Sequence, residues 1–558
     1  MTRSVAVAAP DDPDLNRRRR LVRRLMWGGI IGLPAVFLGL FFVYPVASII
    51  VRGLEDDSAI EVMRRRSTGR ILWFTVWQAA VSTILTLVVG MPAAWAVARI
   101  DLPAKRFLRA LLIIPFVLPT LVVGAALHAV FEVTGLDRSG SSPQLEGTVW
   151  AILLAHVLFN ASVVVRIVGG YWALLDTHPE EAARVLGAGR WRVARLVTIP
   201  RLAPAIWSAA TITFLFCFTS FGVILTVGGP TNPTIETEIW RFATHRTDFA
   251  TASSLALLQL VTVIALVGVV TWLERRMGAG AVARRPAAIQ APRTFGERLR
   301  VFAALAPSLA LLLVPMGVMI ERALRVGDGY GLANFGALNH DHGQGLFVPP
   351  TTAVLNSLVY ASAAMLLAVG VGGLASVAVV HGGRLTGRAL DLALMVPLGT
   401  SAVTLGFGIL IALDEPPLDL RSTRFVVIVA QALVGVPFVV RAMVPALRAV
   451  DPRQREAAAV LGANRAQVRW EVDVPVVART LVVGAAFAFA ISLGEFGATT
   501  FLARPDAPTV PVAMYRLLGQ PGDALRGQAM ALGCILAALT LLSVLVIERV
   551  RPRDALAW

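Results

Sequence analysis

Glu181–Pro200 reads EAARVLGAGRWRVARLVTIP, and Glu456–Pro475, 275 positions later, reads EAAAVLGANRAQVRWEVDVP; 11 of the 20 positions are identical. The same offset pairs Asp176 with Asp451 and Arg166 with Arg441. It also pairs SFGVILTVGGPTNPTIETEIWR from Ser220 with EFGATTFLARPDAPTVPVAMYR from Glu495, where Phe221, Gly222, Pro230, Pro233, Thr234 and Arg241 meet their own type. Nearer the start of each half the register drifts by a few residues, as changes in loop length would cause. Self-similarity at a fixed offset marks a duplicated architecture.

What is duplicated is a membrane domain. Of 558 residues, 56% are apolar and only 15% charged, against roughly 25% charged in ordinary globular domains. The mean hydropathy is +0.71. A water-soluble chain cannot hide that much apolar surface, and disorder requires the opposite composition. A helical span takes about 20 apolar residues, and twelve such runs lie near 25–51, 71–97, 108–131, 149–172, 204–227, 252–273, 301–320, 353–380, 389–413, 425–447, 480–502 and 527–547. The first is too long for a signal-peptide core and has no small-residue cleavage pattern, which predicts a retained span.

The net charge of +16 does not point to nucleic acid: Lys105 is the one lysine, and the arginines sit between apolar runs, where an orientation signal lies. With the N-terminus inside, 34 Lys and Arg fall on the inner side, 15 on the outer side, and Arg166 and Arg441 within spans. This places both termini in the cytoplasm. The outer loop carrying Arg64, Arg65 and Arg66 runs against the rule. Six spans separate the repeated loops, so both face the same side, and the halves are parallel repeats about an axis along the membrane normal. The expected organisation is an all-α polytopic protein: a cytoplasmic tail 1–25, a first domain 26–273 with loop 173–203, a linker 274–300, a second domain 301–548 with loop 448–479, and a cytoplasmic tail 549–558.

Each repeated loop reads as a knob. Asp176 and Asp451 supply acceptors for free amides at a helix start. Gly187 and Gly462 end that helix, because glycine takes positive φ cheaply. A second short helix follows, closed by Pro200 and Pro475 before the next span. A loop serving only to bind lipid would not need identical spacing of Glu, Gly and Pro.

At these residues the chain resembles the permease subunits of ABC importers. The motif is carried by Glu181, Ala182, Ala183, Gly187, Val197, Ile199 and Pro200, and again by Glu456, Ala457, Ala458, Gly462, Val472, Val474 and Pro475. The resemblance implies a type I importer transmembrane fold and a coupling helix in each knob, docking on one of two copies of an ABC ATPase. It also implies an extracytoplasmic solute-binding protein, a cell-membrane location, and ATP and magnesium held by the ATPase. No cofactor is expected in this chain. A phosphate-cradling loop needs G-x-x-x-x-G-K-[ST], and the lone lysine lies in LPAKRF. Two motifs in one polypeptide resemble the fused permeases of ferric-iron and thiamine importers. The stretch from Phe214 is most like the thiamine branch, with thiamine or a thiamine phosphate as cargo, and SLGEFGATTFL from Ser492 is also similar to sulfate and molybdate permeases.

Polar groups inside spans are candidates for the path. Glu495 lies about 15 residues into its run, roughly 22 Å from the inner side, at the repeat position of Ser220, beside Thr219. It either faces a cationic cargo or is capped by a helix. Asn160, one turn beyond His156, either bonds between helices or lines the path. Arg166 and Arg441 read as snorkelling. Cys217 and Cys534, both within apolar runs, suit neither a disulfide framework nor a zinc site, and no metal set or catalytic constellation is present, so no chemistry on the cargo is expected. The outer loops 229–250 and 503–525, with Pro230, Pro233, Pro505 and Pro508, are the expected contact for the binding protein. The rival class is an ion-coupled secondary transporter, which would need coupling carboxylates in both halves and leaves the knobs unexplained.

Overall fold

The computed structural model describes residues 13–550, apart from 56–57, 103–104, 138–143, 278–290, 341–345, 415–418 and 422. The outer parts of both expected tails (1–12 and 551–558) and the middle of the expected linker 274–300 therefore lie outside the described residues. The chain is helical. Among the described residues the only strands are Arg325–Val326 and Gly329–Tyr330, one antiparallel hairpin.

Every apolar run forms helix, but not every run is one rod. Ten helices among the described residues are long and apolar enough to cross a membrane unaided, or eleven if one bent pair is a single span. The third run divides into Lys105–Val117 and Thr120–Thr134. The ninth divides into Arg384–Gly399 and Ala402–Ala412, bent by 97°. Proline explains the first break: Pro119 has no N–H and drives the preceding residue out of the helical region. At the second, Ser401 caps the new helix, its Oγ accepting the amides of Val403 at 3.1 Å and Thr404 at 3.4 Å. The fifth and eleventh runs also end short, at Phe218 and Gly494. Beyond them the chain folds back through Gly222–Val227 and Ile235–Thr244 in one half, and through Thr499–Leu502 and Val510–Leu518 in the other.

The duplication is visible in the packing. Thr75 Oγ1 accepts the amide of Ile235 at 3.2 Å, and Ser357 Oγ accepts that of Val510 at 2.8 Å. A Cβ on Gly90 would stand 2.8 Å from Val164 Cβ, and one on Gly372 would stand 3.0 Å from Val439 Cβ. The second and eighth spans thus correspond at an offset of 282 (357 − 75, 372 − 90), while the later spans hold 275 (510 − 235, 439 − 164). The drift expected from sequence is seven residues. Helices from the two halves interleave: the first span, Leu25–Leu54, packs on Pro350–His381 and Ala402–Ala412, and Phe295–Leu324 packs on Arg66–Arg99 and Thr120–Thr134.

Close helix approach at Gly90 predicts a stability effect. Gly90→Ala should lower the thermal midpoint of the purified protein, since overpacking costs about 1–3 kcal/mol. Gly170→Ala, with nothing within 4 Å of its Cβ, should leave the midpoint unchanged or raise it.

Candidate functional site

Both knobs form as the spacing predicts, up to their prolines. His178–Val185 and Pro452–Val460 are the first helices. Asp451 caps the second knob, accepting the Arg453 amide at 2.9 Å, and Asp176 accepts that of His178 at 3.1 Å. Gly187 and Gly462 have φ of +84° and +90°. Around them, Ala188 N–H reaches Ala183 O and Gly187 N–H reaches Arg184 O, at 3.0 and 2.9 Å. Ala463 to Ala458 and Gly462 to Ala459 repeat the pattern at 3.0 and 3.1 Å. Each knob is therefore closed by a full glycine C-cap.

The prolines do something different from what the sequence suggests. Arg190–Val193 passes through a π-turn, Ala194–Thr198, straight into Ile199–Phe218. Arg465–Val468 does the same through Arg469–Asp473 into Val474–Gly494. Pro200 and Pro475 do not close the knob helix. The wider turn just before each proline relieves the clash and the missing N–H that would break an α-helix. The first span uses the same device, Gly39–Val43 ahead of Pro45.

Glu181, Ala182, Glu456 and Ala457 are exposed, and Ala183 and Ala458 half-buried. Beside them, Val185, Leu186, Val460 and Leu461 are each 87% exposed. Sequence reasoning counted these four only as repeat identities; two apolar side chains just before a capping glycine were the available signal. Such bare apolar tips mark a contact surface. In the first knob the buried Glu180 ties the tip to the bundle, accepting from Thr198 Oγ1 at 3.0 Å and pairing with Arg99 at 3.5 Å. Arg455 stands at the equivalent position of the second.

At the far ends of the knob-bearing rods the halves meet. Phe221 and Phe496, partners by the repeat, stack across the interface with ring centroids 5.5 Å apart. Trp240 and Tyr515, also partners, meet edge-on at 6.0 Å. Phe221–Trp240 at 6.0 Å and Phe496–Tyr515 at 5.6 Å complete a ring of four. The adjoining glycines are filled in matching ways: a Cβ on Gly222 would meet Thr120 Oγ1 at 2.5 Å, and one on Gly497 would meet Ala402 Cβ at 3.0 Å. The two broken spans thus brace the closure from either side.

The polar candidates are placed around this ring, not in it. Glu495 is buried at the break after Gly494; its carboxylate accepts the amides of Ala498 at 2.7 Å and Thr499 at 2.9 Å, and the Thr499 hydroxyl. Of its two readings, the geometry is the helix cap. Thr219 Oγ1 returns to Leu215 O at 2.9 Å, and Ser220 is buried beside Phe221. Asn160 lies inside one half, donating to His156 O at 3.0 Å and Cys217 Sγ at 3.4 Å, while His156 Nδ1 meets Ser82 Oγ at 3.0 Å. Arg166 lies over Phe116 and Phe487, at 5.6 and 5.8 Å from their centroids, and Arg441 Nε donates to Met395 Sδ at 2.9 Å. Both are held by named neighbours, so snorkelling alone does not account for them.

One buried network missed by the sequence joins the halves. The Glu236 carboxylate, fully buried, takes bonds from Ser401 Oγ at 2.6 Å and from Gln259 Nε2, whose Oε1 accepts from Thr404 Oγ1 at 3.1 Å. Nothing local in ETEIW distinguishes a buried carboxylate from a loop one.

These features define a membrane permease with two parallel six-span repeats, a knob on each, and a closure made jointly. Residues 86–279 and 352–553 each match the family described as Binding-protein-dependent transport system inner membrane component, and the chain belongs to that family. It is 27% identical over 524 residues to the thiamine transport system permease protein ThiP of Escherichia coli K12, covering 89% of this chain and 92% of that one. With the ThiP of Salmonella typhimurium it shares 28% over 508 residues, covering 87% and 89%. The sulfate transport system permease protein CysT of E. coli is 27% identical over 257 residues, 44% of this chain and 92% of its own. The family resemblance carried by the knobs holds, and the ion-coupled alternative falls.

The caps make a local prediction. Gly187→Ala and Gly462→Ala should each loosen a knob, since a left-handed non-glycine residue costs about 1–2 kcal/mol. Amide exchange of the knob should quicken, while Gly189→Ala, at φ −64°, should leave it unchanged.

Proposed function

We propose that this ABC importer permease carries thiamine or a thiamine phosphate inward through the interface between its halves. Full-length similarity to permeases named for thiamine is the observation that carries the cargo assignment. The closure supports it: four aromatic rings suit a flat, cationic heteroaromatic solute by stacking and cation–π attraction. A hydrated ferric ion or a sulfate would find no charge in that ring.

The knob end faces the cytoplasm on the strength of the arginine distribution, which also puts both termini there. Each bare Val-Leu tip seats in one ATPase subunit, which binds ATP and magnesium; the exposed Glu181 and Glu456 flank the contact. Because knob helix and fifth or eleventh span are one rod, drawing the knobs together tilts both rods and parts the rings they carry. A solute-binding protein delivers the cargo to the opposite end. The closed ring is then the state that holds the outer mouth shut.

Uptake of labelled thiamine by proteoliposomes holding permease, ATPase and binding protein tests the cargo. Uptake that thiamine does not compete for, but sulfate or ferric ion does, would overturn it. Leu186→Asp with Leu461→Asp should abolish ATPase co-purification and leave membrane insertion intact. Phe221→Ala with Phe496→Ala should open the outer mouth, raising ATP hydrolysis without binding protein by about tenfold, the change expected for roughly 1.4 kcal/mol removed from the closed state; hydrolysis that still requires binding protein would count against the closure.

A further inference from the structure

One of the arginines that break the charge rule, Arg65, opens onto a cavity that it shares with three others. A cavity of about 450 Å³ at the end away from the knobs is lined by Arg65 from the first interspan segment, by Arg70 near the start of the helix Arg66–Arg99, and by Arg241 and Arg246 from the segment after Pro230, with Glu238 as the one lining carboxylate. Arg65 pairs with Glu61 at 2.9 Å and Arg241 with Glu238 at 2.7 Å. Arg246 lies over Phe242, 4.8 Å from its centroid. Among the described residues no carboxylate lies within ion-pair distance of Arg70 or Arg246, although Glu238 feels the Arg246 charge, and both arginines are exposed. The wall also holds Pro230 and Pro233.

The second half repeats one of the four rim arginines, with Arg516 at the place of Arg241. At the packing-defined offsets, Phe347, Thr352 and Pro521 stand where Arg65, Arg70 and Arg246 would be. Of its own arginines at this end, Arg421 pairs with Asp414 at 2.6 Å, Arg504 and Arg424 share Asp506 at 2.9 and 3.9 Å, Arg516 is half-buried, and Arg325 stays exposed on the hairpin. The Arg504 hydrogen bond holds the Asp506 carboxyl below its usual range, so the neutralising charge persists in mildly acidic surroundings. Of the repeated prolines, Pro230 and Pro505 are both exposed, while Pro508 is buried, its carbonyl taken by Asn356 at 3.1 Å, against a half-buried Pro233.

We infer that the cavity rimmed by Arg65, Arg70, Arg241 and Arg246 is the dock for an acidic surface of the solute-binding protein, and that the sparser charge of the second half fixes which way round that protein sits. This rests on the importer reading. A partner seated across the pseudo-twofold mouth touches both halves, and a symmetric mouth would accept it in two orientations. Only one delivers its cargo correctly if the partner is itself asymmetric. A denser charge on one side disfavours the wrong orientation by leaving the acidic surface opposite a sparser one. It also speeds encounter, most strongly at low salt. The charge rule yields at Arg65 because that arginine serves the partner.

The test is the affinity of the purified binding protein for the permease–ATPase complex in nanodiscs of phosphatidylcholine alone, at low salt and at high salt. Arg70→Glu with Arg246→Glu should weaken binding at least about tenfold at low salt, and the difference should shrink at high salt. Arg70→Lys with Arg246→Lys should bind as wild type, showing that the fold tolerates change at these positions. Arg421→Glu with Arg504→Glu should cost less than about threefold. Unchanged affinity in the first pair would overturn the inference, as would equal losses from the two halves. A loss seen only when the discs contain anionic phosphatidylglycerol would overturn it too, assigning the patch to lipid headgroups. In each of those cases binding-protein-stimulated uptake would persist and the importer reading would stand; no stimulation of wild type by any binding protein would instead defeat that reading.

Discussion

The structure depends on one continuity: in each half the second helix of the knob and the span that ends at the aromatic ring are a single rod. Arg190–Phe218 is 29 residues, so at 1.5 Å per residue it reaches about 43 Å. A proline near the start of such a rod should kink it at a cost of about 3 kcal/mol. The π-turn ahead of Pro200, and its twin ahead of Pro475, widens the helix by one residue where the missing amide would fall. A rod transmits displacement; a kinked joint would absorb it. Everything proposed about coupling, from bare Val-Leu tips to stacked phenylalanines, needs that rod to stay whole.

Because two rods are built from duplicated sequence, they meet as equals. Phe221 against Phe496 and Trp240 against Tyr515 are self-pairings of one ancestral surface, the arrangement that a two-fold interface imposes. The broken third and ninth spans make room for it. A continuous helix through Pro119 or Ser401 would carry backbone through the space that Gly222 and Gly497 press into, so the breaks and the glycines are two halves of one packing solution. First spans exchanged between halves add apolar contact that a simple side-by-side pair would lack, and they tie the ring's two sides to each other's scaffold.

The knobs were legible because their logic is local. An aspartate at the helix start, a glycine at its end and apolar residues between them act within about a dozen residues, and in the structure both aspartates accept an amide of the first turn and both glycines take positive φ. The twelve runs were legible by hydropathy, yet hydropathy averages over a window and cannot see a two-residue break at Leu118 and Pro119. Pro200 was misread for a related reason: proline's local preference is to stop a helix, and only the surrounding bundle makes a π-turn the cheaper answer. Glu495 shows the limit most plainly. Its burial follows from sequence, but whether the carboxylate meets a cargo or two backbone amides is decided by where the chain turns after Gly494. The aromatic ring needed pairings 275 residues apart, for which only the repeat itself offered a hint in Phe221 and Phe496.

Fusion of the halves lets them diverge without losing the shared geometry. Gln78, His156 and Cys217 form a buried polar layer in the first half, and Tyr360, Gln431 and Ser492 occupy the equivalent places in the second. In two identical subunits every such change would appear twice, and a network like Glu236 with Gln259, Ser401 and Thr404 would have a twin on the other side of the axis. Here the twin positions hold Pro511, Cys534, Pro119 and Val122, none of which offers a side-chain carboxylate, amide or hydroxyl. A buried carboxylate held by two neutral partners is specific at the expense of stability, and needing it once instead of twice halves that expense. The uneven arginine rim is the same freedom exercised at the surface. A single chain can therefore keep a two-fold closure, where symmetry makes the seal, while abandoning symmetry at the mouth, where a partner must be seated one way round.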